Sequence, residues 1–241
     1  MIPWLRPGSE EPFPAPPTAL REPNGLLAAG ADLSPRRLLQ AYDMGVFPWY
    51  SPGEPILWWS PDPRLVIDPA VAHVSRRMRR TLRQAWGITV DGAFERVIAA
   101  CAAPRDGHHG TWITDDMALA YVELHEAGHA HSLEVWWDSK LVGGIYGICR
   151  GQVFFGESMF HRRRDASKVA LLCLCQWLSH HGITLLDCQV DSPHLRQFGA
   201  GLMPRAEFLT AVAQRVHQPG PIGDWQRLAR PVQWAPFFSA P

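Results

Sequence analysis

An acid, a thiol and an amide follow one another in the segment of residues 185–190, LLDCQV. The apolar residues predict a strand, and the alternation of a strand places Asp187 and Gln189 on one face and Cys188 on the other. A cysteine nucleophile needs exposure and a positive environment, whereas Cys188 stands beside an acid in an apolar segment. We therefore expect a buried packing role for the thiol, and a thiol nucleophile with a histidine base is the less favoured hypothesis.

The segment of residues 125–129, HEAGH, matches the HExxH pattern of zinc peptidases. That chemistry needs both histidines on one face of a continuous helix. Gly128 is instead typical of a helix C-terminus, and the following residues, HSLEVWW, predict a strand. The favoured interpretation is a helix that ends in a polar turn, and we expect no metal site.

Two basic segments could bind an anion. Spacings of three and four place most of the arginines of residues 75–83, SRRMRRTLR, on one side of a predicted helix: Arg76, Arg77, Arg79, Arg80 and Arg83. Three more arginines, in HRRRDASK at residues 161–168, approach the N-terminus of another predicted helix, where they oppose its dipole. The 23 basic residues are balanced by 23 acidic ones, so the protein as a whole has no net charge that would attract an anion. The two local basic patches therefore point to a phosphate-bearing ligand.

Glu157 lies in FFGESMF, close to the end of an apolar strand. Next to Phe154, Phe155 and Met159, it could close a hydrophobic pocket, although a solvated acid is the alternative. The glycines of GGIYG, residues 143–147, lie inside a run of strands. They predict a close approach of backbone or ligand better than a phosphate loop.

The elements that position these groups predict an α+β fold. A short helix begins near Asp32 or Ser34 as cap, with Pro35 in its first turn, and ends at Gly45. Residues 132–160 predict three consecutive antiparallel strands. Further strands are predicted at residues 55–59, 64–68, 87–91 and 184–190. Further helices are predicted at residues 74–85, 93–102, 115–128, 165–182 and 204–216.

Composition excludes several classes of protein. With 46% hydrophobic residues in 241, the chain can form one large domain or two unequal ones. Residues 1–24 carry seven prolines and predict an extended arm. We expect neither a signal peptide nor a membrane span. The five cysteines contain no CxxC pair, which indicates a cytoplasmic protein.

Eight strings, in order, resemble the leucyl/phenylalanyl-tRNA–protein transferase family. They are REPNGLLAAGADLSPRRLLQAYDMGVFPWY, PILWWSPDPR, GTWI, HSLEVW, LVGGIYGI, FFGESMF, DASK and DCQV. The match spans residues 21 to 209. Proline and glycine residues before Arg64, followed by a change of pattern, predict a domain boundary near residues 60–64. In agreement with it, the resemblance implies a small N-terminal domain, residues 1–63, and a larger domain of residues 64–241 with a mixed sheet like that of the GNAT acetyltransferases.

The resemblance also implies an activity. Members of the family move leucine or phenylalanine, and less readily methionine, from aminoacyl-tRNA to an N-terminal arginine or lysine of a protein, which marks that protein for degradation through the N-degron pathway. No cofactor is implied, and we expect a monomer that does not contact a membrane. Two alternatives remain: an acyl-CoA-dependent N-acetyltransferase and a non-enzymatic RNA-binding protein.

Site residues follow from the same resemblance. Asp187 and Gln189 match the catalytic pair, with Gln189 contacting the attacking amine and Asp187 either orienting it or holding the cationic acceptor. An amide is a very weak base, so positioning is its expected role, with water or the terminal ribose taking the proton. Trp49 and Trp112 match positions beside the terminal adenosine, and Glu157 matches the pocket floor. The matching wall residues are Ile145, Leu171, Leu174, Leu178 and Leu186, and the matching tRNA-binding residues are Arg76, Arg79, Arg80 and Arg83.

Overall fold

A computed structural model describes residues 2–104, 112–221, 223 and 225–229. Its strands are β1 Trp4–Leu5, β2 Leu26–Gly30, β3 Phe47–Pro48, β4 Leu57–Trp59, β5 Arg64–Ile67, β6 Gly87–Val90, β7 Ala130–Trp137, β8 Lys140–Arg150, β9 Val153–His161, β10 Leu185–Asp187 and β11 Gly201–Met203. Its helices are α1 Pro35–Asp43, α2 Arg76–Leu82, α3 Phe94–Ala102, α4 Asp115–Glu126, α5 Ala166–His180, α6 Pro193–Arg196, α7 Arg205–Arg215 and α8 Trp225–Ala229. The α+β prediction is confirmed.

The strands form two sheets. The first has the order β1-β2-β4-β3, and the second has the order β11-β5-β10-β9-β8-β7-β6. In the second sheet β10 runs parallel to β9, whereas the other neighbours are antiparallel, so the sheet is mixed. The predicted run of three antiparallel strands is β7-β8-β9.

Helix signals in the sequence are observed at two places. Ser34 caps α1, its hydroxyl accepting a hydrogen bond from the backbone N–H of Arg37, and Pro35 opens the helix. Residues of α3 at helical spacing are buried together, as predicted: Phe94, Val97, Ile98 and Cys101. Local capping and periodicity therefore mark these elements in the sequence, and packing against the core stabilises them.

Two apolar cores cover the two faces of the larger sheet. Helix α5 packs on one face, with Leu171 and Leu186 in its core, whereas α3 and α4 pack on the other. The second of these cores also takes in residues of the N-terminal segment, such as Tyr42 and Trp58, together with Phe155. The N-terminal segment thus shares its core with the larger sheet. The division at residue 63 stays a prediction.

Two elements are shorter than predicted. Helix α2 ends at Leu82, so Arg83 lies at its C-cap. Strand β10 ends at Asp187, and Gln189 adopts the left-handed region with φ +64°. A left-handed residue cannot continue a strand, so the chain turns at Gln189, after the backbone of Cys188 and Gln189 has made its last hydrogen bonds to Leu65 of β5.

Candidate active site

A cavity opens where β9 and β10 part. The two strands pair only as far as Phe155 and Asp187, and β9 then continues to His161. The opening has a volume of about 260 Å³, and apolar groups dominate its wall. It is lined by Phe47, Pro48, Trp49, Trp112, Ile145, Gly156, Glu157, Ser158, Met159, Leu171, Leu186, Asp187, Cys188, Gln189, Val190, Ser192 and Leu195.

The structure brings eight predicted site residues to this cavity: Trp49, Trp112, Ile145, Glu157, Leu171, Leu186, Asp187 and Gln189. Leu174 and Leu178 are not among the lining residues and are fully buried in the core beneath α5. A helix rises about 1.5 Å per residue, so Leu178 lies roughly 10 Å along the axis from Leu171. The structure thus places Leu174 and Leu178 in the core and not at the cavity, although they share the helix face of Leu171, and their assignment to the pocket wall stays a prediction.

Asp187 is fully buried, and both of its carboxylate oxygens accept hydrogen bonds. Arg64 donates from Nε to Oδ1 at 2.8 Å and from its terminal nitrogen to Oδ2 at 2.6 Å. The guanidinium also donates to the carbonyl of Gly45 and lies between the rings of Phe47 and Phe208. Because Arg64 neutralises the carboxylate, the structure favours an orienting role for Asp187 over the capture of a cationic acceptor.

Gln189 is fixed by two hydrogen bonds. Its backbone N–H donates to Asp187 Oδ1 at 2.8 Å, and its side-chain Nε2 donates to Glu157 Oε1 at 2.9 Å. The side chains of Asp187 and Gln189 thus reach Arg64 and Glu157, while Cys188 packs against the core of α5. A turn at Gln189, not a continuing strand, directs its amide. Cys188 lines the same cavity as Asp187 and Gln189, so strand alternation does not separate the thiol from these two residues.

Glu157 is a buried acid at the floor of the cavity. Tyr42 and Tyr121 lie at its two oxygens, 2.8 Å from Oε1 and 2.9 Å from Oε2. Burial raises the pKa of Glu157 to about 7 against the lowering effect of the tyrosine hydrogen bonds, and the charge of Asp187 raises it further. The carboxyl is consequently poised to change its charge near neutral pH.

Sequence reasoning missed Tyr42, Tyr121 and Arg64. The tyrosines are separated from Glu157 by 115 and 36 positions, and Arg64 is 123 positions from Asp187. Helical spacing marks Tyr42 as a core residue but carries no information about its hydroxyl. Side chains so far apart in sequence meet only in the tertiary structure, and no local sequence signal indicates their contact.

Cys188 is half-buried and borders the cavity, so it is less buried than the sequence predicts. Burial of its sulfur and the neighbouring Asp187 charge raise the pKa of the thiol well above its usual value. A thiol that stays protonated is a poor nucleophile, which agrees with the predicted packing role.

The predicted tRNA-binding arginines are exposed. Arg76, Arg79, Arg80 and Arg83 are exposed on and just after α2. Asp165, at the start of α5, pairs with Arg77 at 2.9 Å and with Lys168 at 2.7 Å, so an acid distant in sequence compensates part of the charge. A second, larger cleft adjoins the cavity, because Met159 lines both. The charged residues that line this cleft are Arg77, Arg162, Arg164, Asp165 and Lys168.

The histidines of HEAGH are separated by the end of a helix. Helix α4 ends at Glu126, Gly128 has φ +77°, and His129 lies beyond the turn. His125 instead comes close to His131 and Asp91, with possible ligand atoms within 4.8 Å of one another. His131 is engaged on both nitrogens, at 2.8 Å from Asp91 and 3.2 Å from the carbonyl of Gly128. The predicted helix end is confirmed.

Most of the chain matches two family models. Residues 66–213 match the model described as leucyl/phenylalanyl-tRNA protein transferase, and residues 31–62 match the model of its N-terminal domain. The curated leucyl/phenylalanyl-tRNA–protein transferase of Chromobacterium violaceum is 52% identical over 226 residues, or 93% of this chain and 96% of that protein. The one of Chromohalobacter salexigens is 56% identical over 220 residues, or 91% and 86%.

Solved structures with low sequence identity are also similar to the chain. A GCN5-related N-acetyltransferase from Kribbella flavida has a TM-score of 0.38 and 16% identity, over 71% of this chain and 61% of that one. The structure titled L-PGS from Bacillus licheniformis has a TM-score of 0.44 and 8% identity, over 80% and 73%. Among the described residues, none of the helices has the length and apolar character required to span a membrane.

Proposed function

The chain belongs to the leucyl/phenylalanyl-tRNA protein transferase family and is an aminoacyltransferase, and from this premise we propose its substrates. The donor is tRNA charged with leucine or phenylalanine, and less readily methionine. The acceptor is a protein with an N-terminal arginine or lysine, which the added residue marks for degradation through the N-degron pathway. We place the reaction in the cytoplasm, where charged tRNA is available.

The shape and polarity of the cavity carry this proposal. Its apolar wall, with Ile145, Leu171 and Leu186, suits an apolar side chain, and Asp187 and Gln189 add polar groups to the lining. A volume of about 260 Å³ is of the size of one amino-acid side chain with its backbone. Trp49 is 45% exposed at the cavity, a position from which an indole can stack on the terminal adenosine.

The chemistry needs positioning more than activation. The ester of aminoacyl-tRNA is already activated, and an α-amine has a pKa near 8, so attack requires no covalent enzyme intermediate. The amine nitrogen forms a bond to the ester carbonyl carbon, the bond to the ribose oxygen breaks, and the ribose hydroxyl leaves with a proton. Gln189 holds the attacking amine, while Asp187 fixes the backbone of Gln189.

The tRNA body is proposed to bind the exposed arginines of α2: Arg76, Arg79, Arg80 and Arg83. Their guanidinium groups are exposed and lie on one short element, which suits contact with successive phosphates. Arg162 and Arg164 extend the basic surface along the cleft that shares Met159 with the cavity. A continuous basic path from α2 to the cavity would bring the charged 3′ end of the tRNA to Gln189.

The decisive experiment offers the purified protein leucyl-tRNA or phenylalanyl-tRNA together with peptides that begin with Arg or Ala. We expect leucine and phenylalanine to appear on the Arg peptide and not on the Ala peptide. Transfer to neither peptide would overturn the proposed activity, and equal transfer to both would overturn its acceptor specificity. Acetyl-CoA with the same peptides tests the acyl-CoA alternative, for which saturable acetylation is the expected result.

A further inference from the structure

Three contacts between oxygen atoms form a closed ring beneath the cavity. The hydroxyls of Tyr42 and Tyr121 lie 2.5 Å from each other. Tyr42 lies 2.8 Å from Glu157 Oε1, and Tyr121 lies 2.9 Å from Glu157 Oε2. Tyr42 and Tyr121 are fully buried, so water does not supply a hydrogen to the contact between them. The ring must be satisfied by its own hydrogens.

The number of hydrogens in the ring depends on the charge of Glu157. Each contact needs one hydrogen, because two oxygens with only lone pairs between them repel. Burial raises the pKa of both tyrosines well above the usual value, so each keeps its one hydrogen. An ionised Glu157 therefore leaves two hydrogens for three contacts. A protonated Glu157 supplies the third hydrogen and satisfies the whole ring.

The charges around the ring also favour the neutral acid. The titratable and charged groups that face Glu157 come from five elements: Tyr42 of α1, Arg64 of β5, Tyr121 of α4, Tyr146 of β8 and Asp187 of β10. Arg64 is the cation of this set, and it forms a two-point pair with Asp187. A charged Glu157 would be a second buried carboxylate beside one cation, which is costly in an apolar interior.

We propose that Glu157 is a positioning residue that acts as a protonated acid and holds the Gln189 amide with its oxygen turned toward the reacting amine. Glu157 Oε2 donates to Tyr121, Tyr121 donates to Tyr42, and Tyr42 donates to Glu157 Oε1. That same oxygen accepts the Nε2–H of Gln189 at 2.9 Å. The amide nitrogen and oxygen lie on opposite arms of one planar group, so the oxygen of Gln189 faces away from Glu157.

Ionisation of Glu157 would disturb both functions of the cavity. The contact between the tyrosines would lose its hydrogen and open, and the oxygen that holds Gln189 would shift with it. A negative charge would also stand at the floor of a pocket that receives an apolar side chain. This inference rests on the proposed transfer reaction and predicts that transfer declines as Glu157 loses its proton above neutral pH.

The test compares the wild type with Glu157→Gln across pH. Glutamine supplies an oxygen to Tyr42 and Gln189 and an N–H to Tyr121, but it cannot ionise. Leucine transfer from leucyl-tRNA to an Arg peptide is measured at saturating tRNA, and the rate of the wild type is divided by that of the variant. The division cancels the titration of the peptide amine and the hydrolysis of the ester.

We expect this ratio to fall about tenfold between pH 6 and pH 8, as an acid with a pKa near 7 predicts. A ratio that is constant with pH would overturn the inference while leaving the transfer activity intact. No transfer by the wild type at any pH would instead overturn the proposed function. The two failures are thus distinguishable.

Infrared spectroscopy gives a readout that does not depend on activity. The carbonyl stretch of a protonated carboxyl should be present in the wild type at pH 6, absent from Glu157→Gln, and lost from the wild type by pH 9. If Glu157→Gln does not fold, the pH titration of this band in the wild type carries the test. The absence of a band that titrates near neutral pH would overturn the inference.

Discussion

At the residue scale, the Asp187 carboxylate orients Gln189 and compensates the charge of Arg64 at the same time. Substitution of Asp187 by Ala leaves a guanidinium buried without its partner. We expect the free energy of unfolding to fall by about 3–5 kcal/mol and aminoacyl transfer to be lost at temperatures where the variant is still folded. Urea unfolding and the peptide transfer assay measure the two effects.

The neighbouring thiol is the matched control. Cys188→Ala changes the next residue without touching the ion pair, and we expect it to keep most of the transfer activity and to alter stability by no more than about 1 kcal/mol. The opposite order of effects, with Cys188→Ala inactive and Asp187→Ala active, would restore the hypothesis of a thiol nucleophile.

At the element scale, helix α5 contributes one residue, Leu171, to the cavity and buries the next ones in the core. Leu171→Phe should narrow the cavity and lower transfer of phenylalanine more than transfer of leucine. The measurement is the ratio of transfer rates from phenylalanyl-tRNA and leucyl-tRNA. An unchanged ratio would remove Leu171 from the donor pocket.

Leu174→Phe is the control for this helix. Leu174 lies in the core and not at the cavity, so a larger ring should overpack the core by about 1–3 kcal/mol and slow both donors alike. A donor ratio that changed with Leu174→Phe and not with Leu171→Phe would reverse the assignment of the pocket wall.

Helix α2 presents its arginines to solvent and predicts an electrostatic contact with tRNA. Replacement of Arg79, Arg80 and Arg83 together by Ala should weaken tRNA binding, whichever amino acid is attached. It should also reduce the slope of the logarithm of the binding constant against the logarithm of the salt concentration by about two to three. Filter binding or fluorescence anisotropy at several salt concentrations measures the slope.

The matched control removes the same charge from another exposed region. Arg6, Arg21 and Arg36 are exposed in the N-terminal segment, away from α2 in sequence. Their joint replacement by Ala should leave the slope nearly as in the wild type. Equal losses in the two triple variants would mean that tRNA responds to total charge and not to the surface of α2.

Elements of this protein were predictable where local chemistry decides them. Ser34 and Pro35 mark the start of α1, and the spacing of Phe94, Val97 and Cys101 marks the buried face of α3. The end of β10 was not predictable, because Cys188 and Gln189 have side chains that a strand accepts. The turn at Gln189 is held by a local hydrogen bond from its backbone to Asp187 and by a tertiary hydrogen bond from its side chain to Glu157.

At the scale of the whole molecule, the site depends on parts of the chain that are far apart in sequence. Phe47 and Trp49 of the N-terminal segment line the cavity together with residues of β9 and α5. Arg64 is held between Phe47 and Phe208. The sequence predicts a boundary near residue 63 from composition and turn residues, but it does not reveal that one core crosses that boundary.

The shared core predicts that the chain unfolds as one cooperative unit in spite of that boundary. Tyr42 and Trp58 are fully buried in a core that also contains residues of the larger sheet, and Tyr42 contacts Phe155 of β9, so separation would expose large apolar surfaces on both sides. Hydrogen exchange in increasing urea should release the amides of β2 and β8 at the same midpoint, and Leu38→Ala in α1 should lower both midpoints together. Two separated transitions, or a Leu38→Ala effect confined to β2, would show that the N-terminal segment is an independent domain. The cavity would then be a junction between two domains, and its geometry would depend on how they dock.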